Sequence, residues 1–117
     1  MTARYVPKQG DIVWLDFTPQ SGHEQAGHRP ALVLSPEAYN RKVGLMLCCP
    51  ITTQVKGYPF EVELTGVRGV SGVVLSDQIK SLDWESRHAE FKGKAPSAAV
   101  RDVLAKVHTL LEVERPD

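Results

Sequence analysis

The sequence predicts a mainly β, α+β fold: a small barrel or strongly bent sheet of short antiparallel strands, with one C-terminal helix packed against it. Two observations carry that expectation. Glycine and proline, nine and eight of them, cut the first four-fifths of the chain into pieces of strand length. After Lys94 the period changes, and Val100, Val103, Leu104, Val107, Leu110 and Leu111 recur at helical spacing. At 117 residues the chain has room for one domain, 1–117, with a core that needs no staples.

Each element follows from its own pattern. Asp11 to Phe17 (DIVWLDF) lies between Gly10 and Pro19, with Val13, Leu15 and Phe17 on one strand face and Ile12, Trp14 and Asp16 on the other. Arg29 to Leu34 and Leu45 to Ile51 are apolar runs suited to central strands. Between them Ser35-Pro36-Glu37 reads as an N-cap, a first-position proline and a first-turn acid, so one or two helical turns are expected over Pro36 to Arg41. Phe60 to Leu64 alternates apolar and acidic residues, the mark of a strand with one wet face. Gly72 to Ser76, Ile79 to Trp84 and Arg87 to Phe91 follow as further strands. The terminal helix is expected over Ser97 to Val113, with Ser97 as its cap. Cys48 and Cys49 are neighbours on a strand and point to opposite faces, so they are expected to be buried reduced thiols, not a disulfide.

Composition narrows the function classes. Hydrophobic residues make up 42% and charged ones 24%, values of a soluble globular protein. The longest apolar stretch, Leu45 to Cys49, falls far short of a membrane span, and the opening residues turn polar at once, so a cytoplasmic protein is expected. Fourteen basic residues balance fourteen acidic ones, and net charge announces no polyanion. The distribution is less neutral: Lys80, Arg87, His88, Lys92 and Lys94 lie close together, while acids gather at Glu61, Glu63 and the C-terminal end.

The long polar connection Thr18 to His28 holds two glycines and a proline, and loops of that length usually carry function. It ends in His28-Arg29-Pro30 and so delivers a cation onto a strand start; the plain alternative is a surface loop with a solvated arginine. His23-Glu24 and His28 imitate a zinc-protease motif, but the histidines are spaced by five and lie in a glycine-containing loop. No metal or cofactor is expected. Gly69-Val70-Ser71-Gly72 has the wrong spacing for a nucleophile elbow, and there is no P-loop or dinucleotide fingerprint. What remains suits a phosphodiester. Arg29 offers a planar fork that rests charged at any working pH. Thr52 and Thr53 sit where the third strand ends, with hydroxyls for a cleft or merely for a turn. Gln54, Lys56 and Tyr58 add a donor, a cation and a stacking ring, a mixture that fits single-stranded nucleic acid.

At these residues the chain closely resembles the MazF/PemK family of toxin endoribonucleases, the mRNA interferases of toxin–antitoxin pairs. The likeness runs through Gly10 to Phe17, Glu24-Gln25-Ala26-Gly27-His28-Arg29-Pro30-Ala31, Pro50-Ile51-Thr52-Thr53, Lys56-Gly57-Tyr58-Pro59-Phe60 and Asp77-Gln78-Ile79-Lys80-Ser81. It implies a homodimer of SH3-like, CcdB-type barrels and metal-independent cleavage of single-stranded RNA. It also implies attack by the ribose 2′-hydroxyl, leaving a 2′,3′-cyclic phosphate and a 5′-hydroxyl. Carried over residue by residue, the catalytic arginine and threonine are Arg29 and Thr52, and Glu24 matches a loop carboxylate that orients substrate or accepts a proton. His28 is a reserve candidate for the proton acceptor. His28, Thr53, Gln54, Lys56, Tyr58, Asp77, Gln78 and Lys80 are expected to contact RNA. Asp77 matches the aspartate of PemK-type members, but Leu75 stands where some of them place an arginine. The implied partners are single-stranded RNA and a MazE-like antitoxin whose acidic tail lies in the same groove, with no membrane. The helix stripe, Trp14 and Trp84 are candidates for the dimer surface. Two rivals differ in class: a gyrase poison on the same barrel, and a non-catalytic RNA-binding module.

Overall fold

The computed structural model describes residues 4–17 and 27–116. Within them the chain forms β1 (Asp11–Phe17), β2 (Gly27–Val33), α1 (Glu37–Val43), β3 (Leu45–Thr52), β4 (Glu61–Leu64), β5 (Gly72–Leu75), β6 (Lys80–Asp83), β7 (Glu90–Lys94) and α2 (Ser97–Leu110). All strand pairings are antiparallel. The order is β4-β5-β3-β2-β1-β7, with β6 also on β3. Strand β3 is the hub. Along one edge it pairs with β2, and along the other with β6 through Leu45 to Cys48 and then with β5 at Ile51 and Thr52.

The central strands are buried on both faces, which is why they read as unbroken apolar runs. Ile12, Leu32, Cys49, Ile51 and Val74 turn toward α2 and meet its Ala99, Val103 and Val107. Val13, Leu15, Ala31, Val33, Met46 and Cys48 turn the other way, against Leu82 and Trp84. Adjacent cysteines thus belong to different cores and remain free thiols. Burial pushes both up to about 12. Between pH 9 and 12 the unfolded chain releases thiol protons that the folded chain keeps. Stability from this source is therefore complete below about pH 9 and falls as pH rises, by about 1.4 kcal/mol per thiol per unit. Melting at pH 8 and pH 10 checks it: the chain carrying Cys48→Ala and Cys49→Ala should lose less between the two.

Five sequence expectations are corrected. Helix α1 has Pro36, not Ser35, at its N-cap, with no side-chain cap. The Ser35 hydroxyl turns inward, donating to Asn40 Oδ1 at 2.6 Å and accepting the Leu47 N–H at 2.8 Å. Asn40 is fully buried, and its Nδ2 donates to the carbonyls of Pro7 and Ser35. Its own carbonyl accepts Trp84 Nε1 at 3.0 Å. Trp84 is therefore a core residue, 3% exposed, and not a free surface for a partner. Likewise Ser97 does not cap α2; Pro96 stands there without a side-chain bond. Of the helical stripe, Leu110 and Leu111 lie outside the core, largely exposed. The last strand starts at Glu90 because Asp83 Oδ1 accepts the N–H groups of Glu85 and Ser86 and bends the chain into a turn.

Candidate functional site

The pairing of β2 with β3 ends at Ala31–Pro50. Pro30 and Pro50 have no N–H to donate, so the ladder cannot continue and the strands part. The next residues on each side are Pro30 and Arg29 of β2 and Ile51 and Thr52 of β3. All four line the cleft that opens there, about 380 Å³, together with Trp14, His28, Thr53, Gln54, Gly69, Val70 and Ser71. Two strands joined through α1 thus bring the expected arginine and threonine to one wall. Trp14 belongs to this cleft, half-buried, and was not foreseen there.

The Thr52 hydroxyl oxygen accepts the Gln54 N–H at 3.1 Å. With one lone pair so occupied, its O–H hydrogen can turn outward to donate to an anionic oxygen. Beyond Gln54 a second recess of about 150 Å³ continues the wall, lined by Thr52, Gln54, Lys56, Tyr58, Glu61, Leu75 and Gln78. Glu61 shapes it. Its carboxylate accepts the N–H groups of Lys56 at 2.9 Å and Gly57 at 2.8 Å, closing the loop on itself. The Tyr58 hydroxyl donates to Asp77 Oδ2, a bond that raises its phenol above the ordinary value. Tyr58 also meets Phe60 edge to face at 6.4 Å. Asp77 therefore serves Tyr58 and does not line either recess, while Leu75 does. Lys80 lies on β6 opposite Cys48, outside both recesses. Glu24 lies outside the described residues.

At the cleft's edge stands a cluster that the sequence did not announce. Asp16 Oδ1 meets His28 Nε2 at 2.6 Å, and Asp16 Oδ2 meets His88 Nδ1 at 2.7 Å. The His88 bond, aided by His28, holds the Asp16 carboxyl below the usual carboxylate range. Asp16 and His28 come together because β1 and β2 pair them in register. His88 arrives from the turn before β7 with φ 54, a left-handed conformation. Pattern reading assigned Asp16 to a strand face but had no means of fixing its cross-strand partner. Among the described residues no group of three or more His, Cys, Asp or Glu side chains is placed to hold a metal ion.

A family model described as PemK-like, MazF-like toxin of type II toxin–antitoxin system matches residues 8–111. The chain belongs to that family. It is 52% identical over 111 residues to the endoribonuclease toxin MazF of Escherichia coli K12, covering 95% of this chain and 99% of that one. To the endoribonuclease toxin ChpB of the same organism it is 40% identical over 110 residues, covering 90% and 94%. A solved MazE–MazF structure from Deinococcus radiodurans superposes with a TM-score of 0.85 at 58% identity, over 92% of this chain and 97% of that chain. The mainly β barrel with a C-terminal helix and the endoribonuclease activity expected from the sequence both stand: this is a MazF-like toxin endoribonuclease.

Proposed function

We propose that the chain, acting as one toxin domain, cleaves single-stranded RNA at a short sequence without metal, through attack of the ribose 2′-hydroxyl on the adjacent phosphate. The observation that carries this reading is the meeting of Arg29 and Thr52 where β2 and β3 part. Attack builds negative charge on the phosphorane, and a guanidinium beside a hydroxyl donor suits it. Arg29 takes the transition-state charge and donates the proton to the leaving 5′-oxygen, while Thr52 bonds a non-bridging oxygen. Glu24, by family likeness, orients the substrate. His28, Thr53, Gln54, Lys56, Tyr58 and Gln78 hold the strand along the two recesses, with Asp77 steadying the Tyr58 ring and Lys80 a more distant phosphate contact. The products are a 2′,3′-cyclic phosphate and a 5′-hydroxyl.

The same wall suits an acidic peptide, and the MazE–MazF complex of the Deinococcus radiodurans relative supports a cognate antitoxin for this chain. We further propose a cytoplasmic homodimer; no helix among the described residues is long and apolar enough to cross a membrane. The test is cleavage of a long single-stranded RNA in excess EDTA with the new ends mapped. Cuts at one short motif with 5′-hydroxyl ends are expected. A requirement for divalent cation, or 5′-phosphate ends, would overturn the mechanism.

A further inference from the structure

We propose that Asp16, braced by His88, is a positioning residue that fixes the His28 imidazole with Nδ1 unprotonated, so that Nδ1 takes the proton of the attacking 2′-hydroxyl. The inference rests on the nuclease reading of the cleft. Its geometry is independent of it.

An ionised carboxylate can only accept hydrogen bonds. Each ring nitrogen facing Asp16 must therefore carry a proton: Nε2 of His28 at 2.6 Å and Nδ1 of His88 at 2.7 Å. In neutral His28 this leaves Nδ1 as the basic nitrogen. A carboxylate that sets an imidazole's tautomer and orientation in this way is the general device of histidine bases. His28 precedes Arg29 and lines the same cleft as Arg29 and Thr52. The carboxylate is not needed to dock the neighbouring turn. The Asp16 N–H already donates to the Arg87 carbonyl at 2.9 Å, and Arg87 Nη1 donates to the Asp16 carbonyl at 3.3 Å. His88 takes the second carboxylate oxygen, which stops the group from rotating away from His28. It does so from a backbone conformation that costs a side-chain-bearing residue energy.

The step balances. The 2′-hydroxyl proton passes to His28 Nδ1 as the oxygen–phosphorus bond forms. The bond from phosphorus to the 5′-oxygen breaks, and that oxygen receives a proton from Arg29. Both side chains then return to their starting states through solvent. The Asp16 and His28 side chains are 41% and 48% exposed, so water shares the work of orientation. A loss of about tenfold on removing Asp16 is therefore expected, below the hundredfold or more that a general base contributes.

The experiment is a double-mutant cycle of single-turnover RNA cleavage with Asp16→Ala, His28→Gln and their combination, each checked by thermal melting. Asp16→Asn takes the place of Asp16→Ala should the alanine variant fold poorly. It is paired with nitrogen NMR of histidine-labelled protein without RNA. The expected result is that Asp16→Ala slows cleavage about tenfold with substrate affinity within twofold, yet adds nothing to His28→Gln. The NMR should show His28 protonated at Nε2 in the parent and a mixture of tautomers in Asp16→Ala. Additive losses, a wild-type rate in His28→Gln, or a parent His28 protonated at Nδ1 would each overturn the proposal. Full activity in Arg29→Ala would instead overturn the reading of the cleft, while the NMR would still decide whether Asp16 sets the tautomer.

Discussion

Replacing Arg29 by alanine should reduce RNA cleavage by two to three orders of magnitude while leaving the fold in place. The residue is exposed at the cleft wall and belongs to neither buried cluster. Surface substitutions of this kind change stability by about 0.5 kcal/mol or less. In the proposed mechanism its value is chemical. As the 2′-oxygen closes on phosphorus, charge builds on the non-bridging oxygens, and a positioned cationic donor there contributes on the order of 3–4 kcal/mol. Lysine would keep the charge but lose the planar fork that grips two oxygens together, so Arg29→Lys should recover only part of the rate. Initial rates on a defined RNA, with melting curves beside them, decide the matter. A variant that melts like the parent and still cuts at more than a tenth of its rate would remove Arg29 from the reaction.

Much of this site was legible because its residue types are bound to breaks in secondary structure. Arg29-Pro30 and Pro50-Ile51-Thr52 each place a proline close to a polar group where the β2–β3 pairing ends, and the structure shows why. The prolines stop the β2–β3 ladder and open the cleft where the polar groups stand. The helical period after Lys94 similarly predicted α2, since one face had to be covered by the sheet. What stayed hidden depends on register and on side chains that turn inward. Ser35 looks like a cap in sequence, but the buried Asn40 competes for its hydroxyl and wins. Asp16, Glu61 and His88 appear as ordinary surface charges until pairing sets Asp16 beside His28 and folds the 56–61 turn over Glu61. A period of two says which face a strand residue occupies and nothing about which strand it faces.

Among the described glycines, Gly72→Ala should be the most damaging alanine substitution, because it strikes stability and the site together. Gly72 begins β5 with φ +112, a conformation that a side-chain-bearing residue rarely adopts. An added Cβ would also sit 2.1 Å from the Thr52 carbonyl oxygen and 3.1 Å from the Thr53 Cα. Both neighbours are backbone, so no side chain can rotate aside. Either β5 retreats from β3, breaking the Thr52–Val73 pairing, or the Thr52 peptide shifts and carries its hydroxyl off the cleft wall. The expected cost is about 3 kcal/mol or more, roughly 10 °C or more in melting temperature. Gly66→Ala is the matched control. Its φ of +74 imposes the conformational strain alone, since nothing lies within 4 Å of its Cβ position. It should cost about 1–2 kcal/mol and leave cleavage intact in the cold. Below its melting transition Gly72→Ala should still cut at least tenfold more slowly than the parent, because the surviving fold holds a displaced Thr52. Equal melting temperatures for the two variants, or parental cleavage by folded Gly72→Ala, would show that the start of β5 does not fix Thr52.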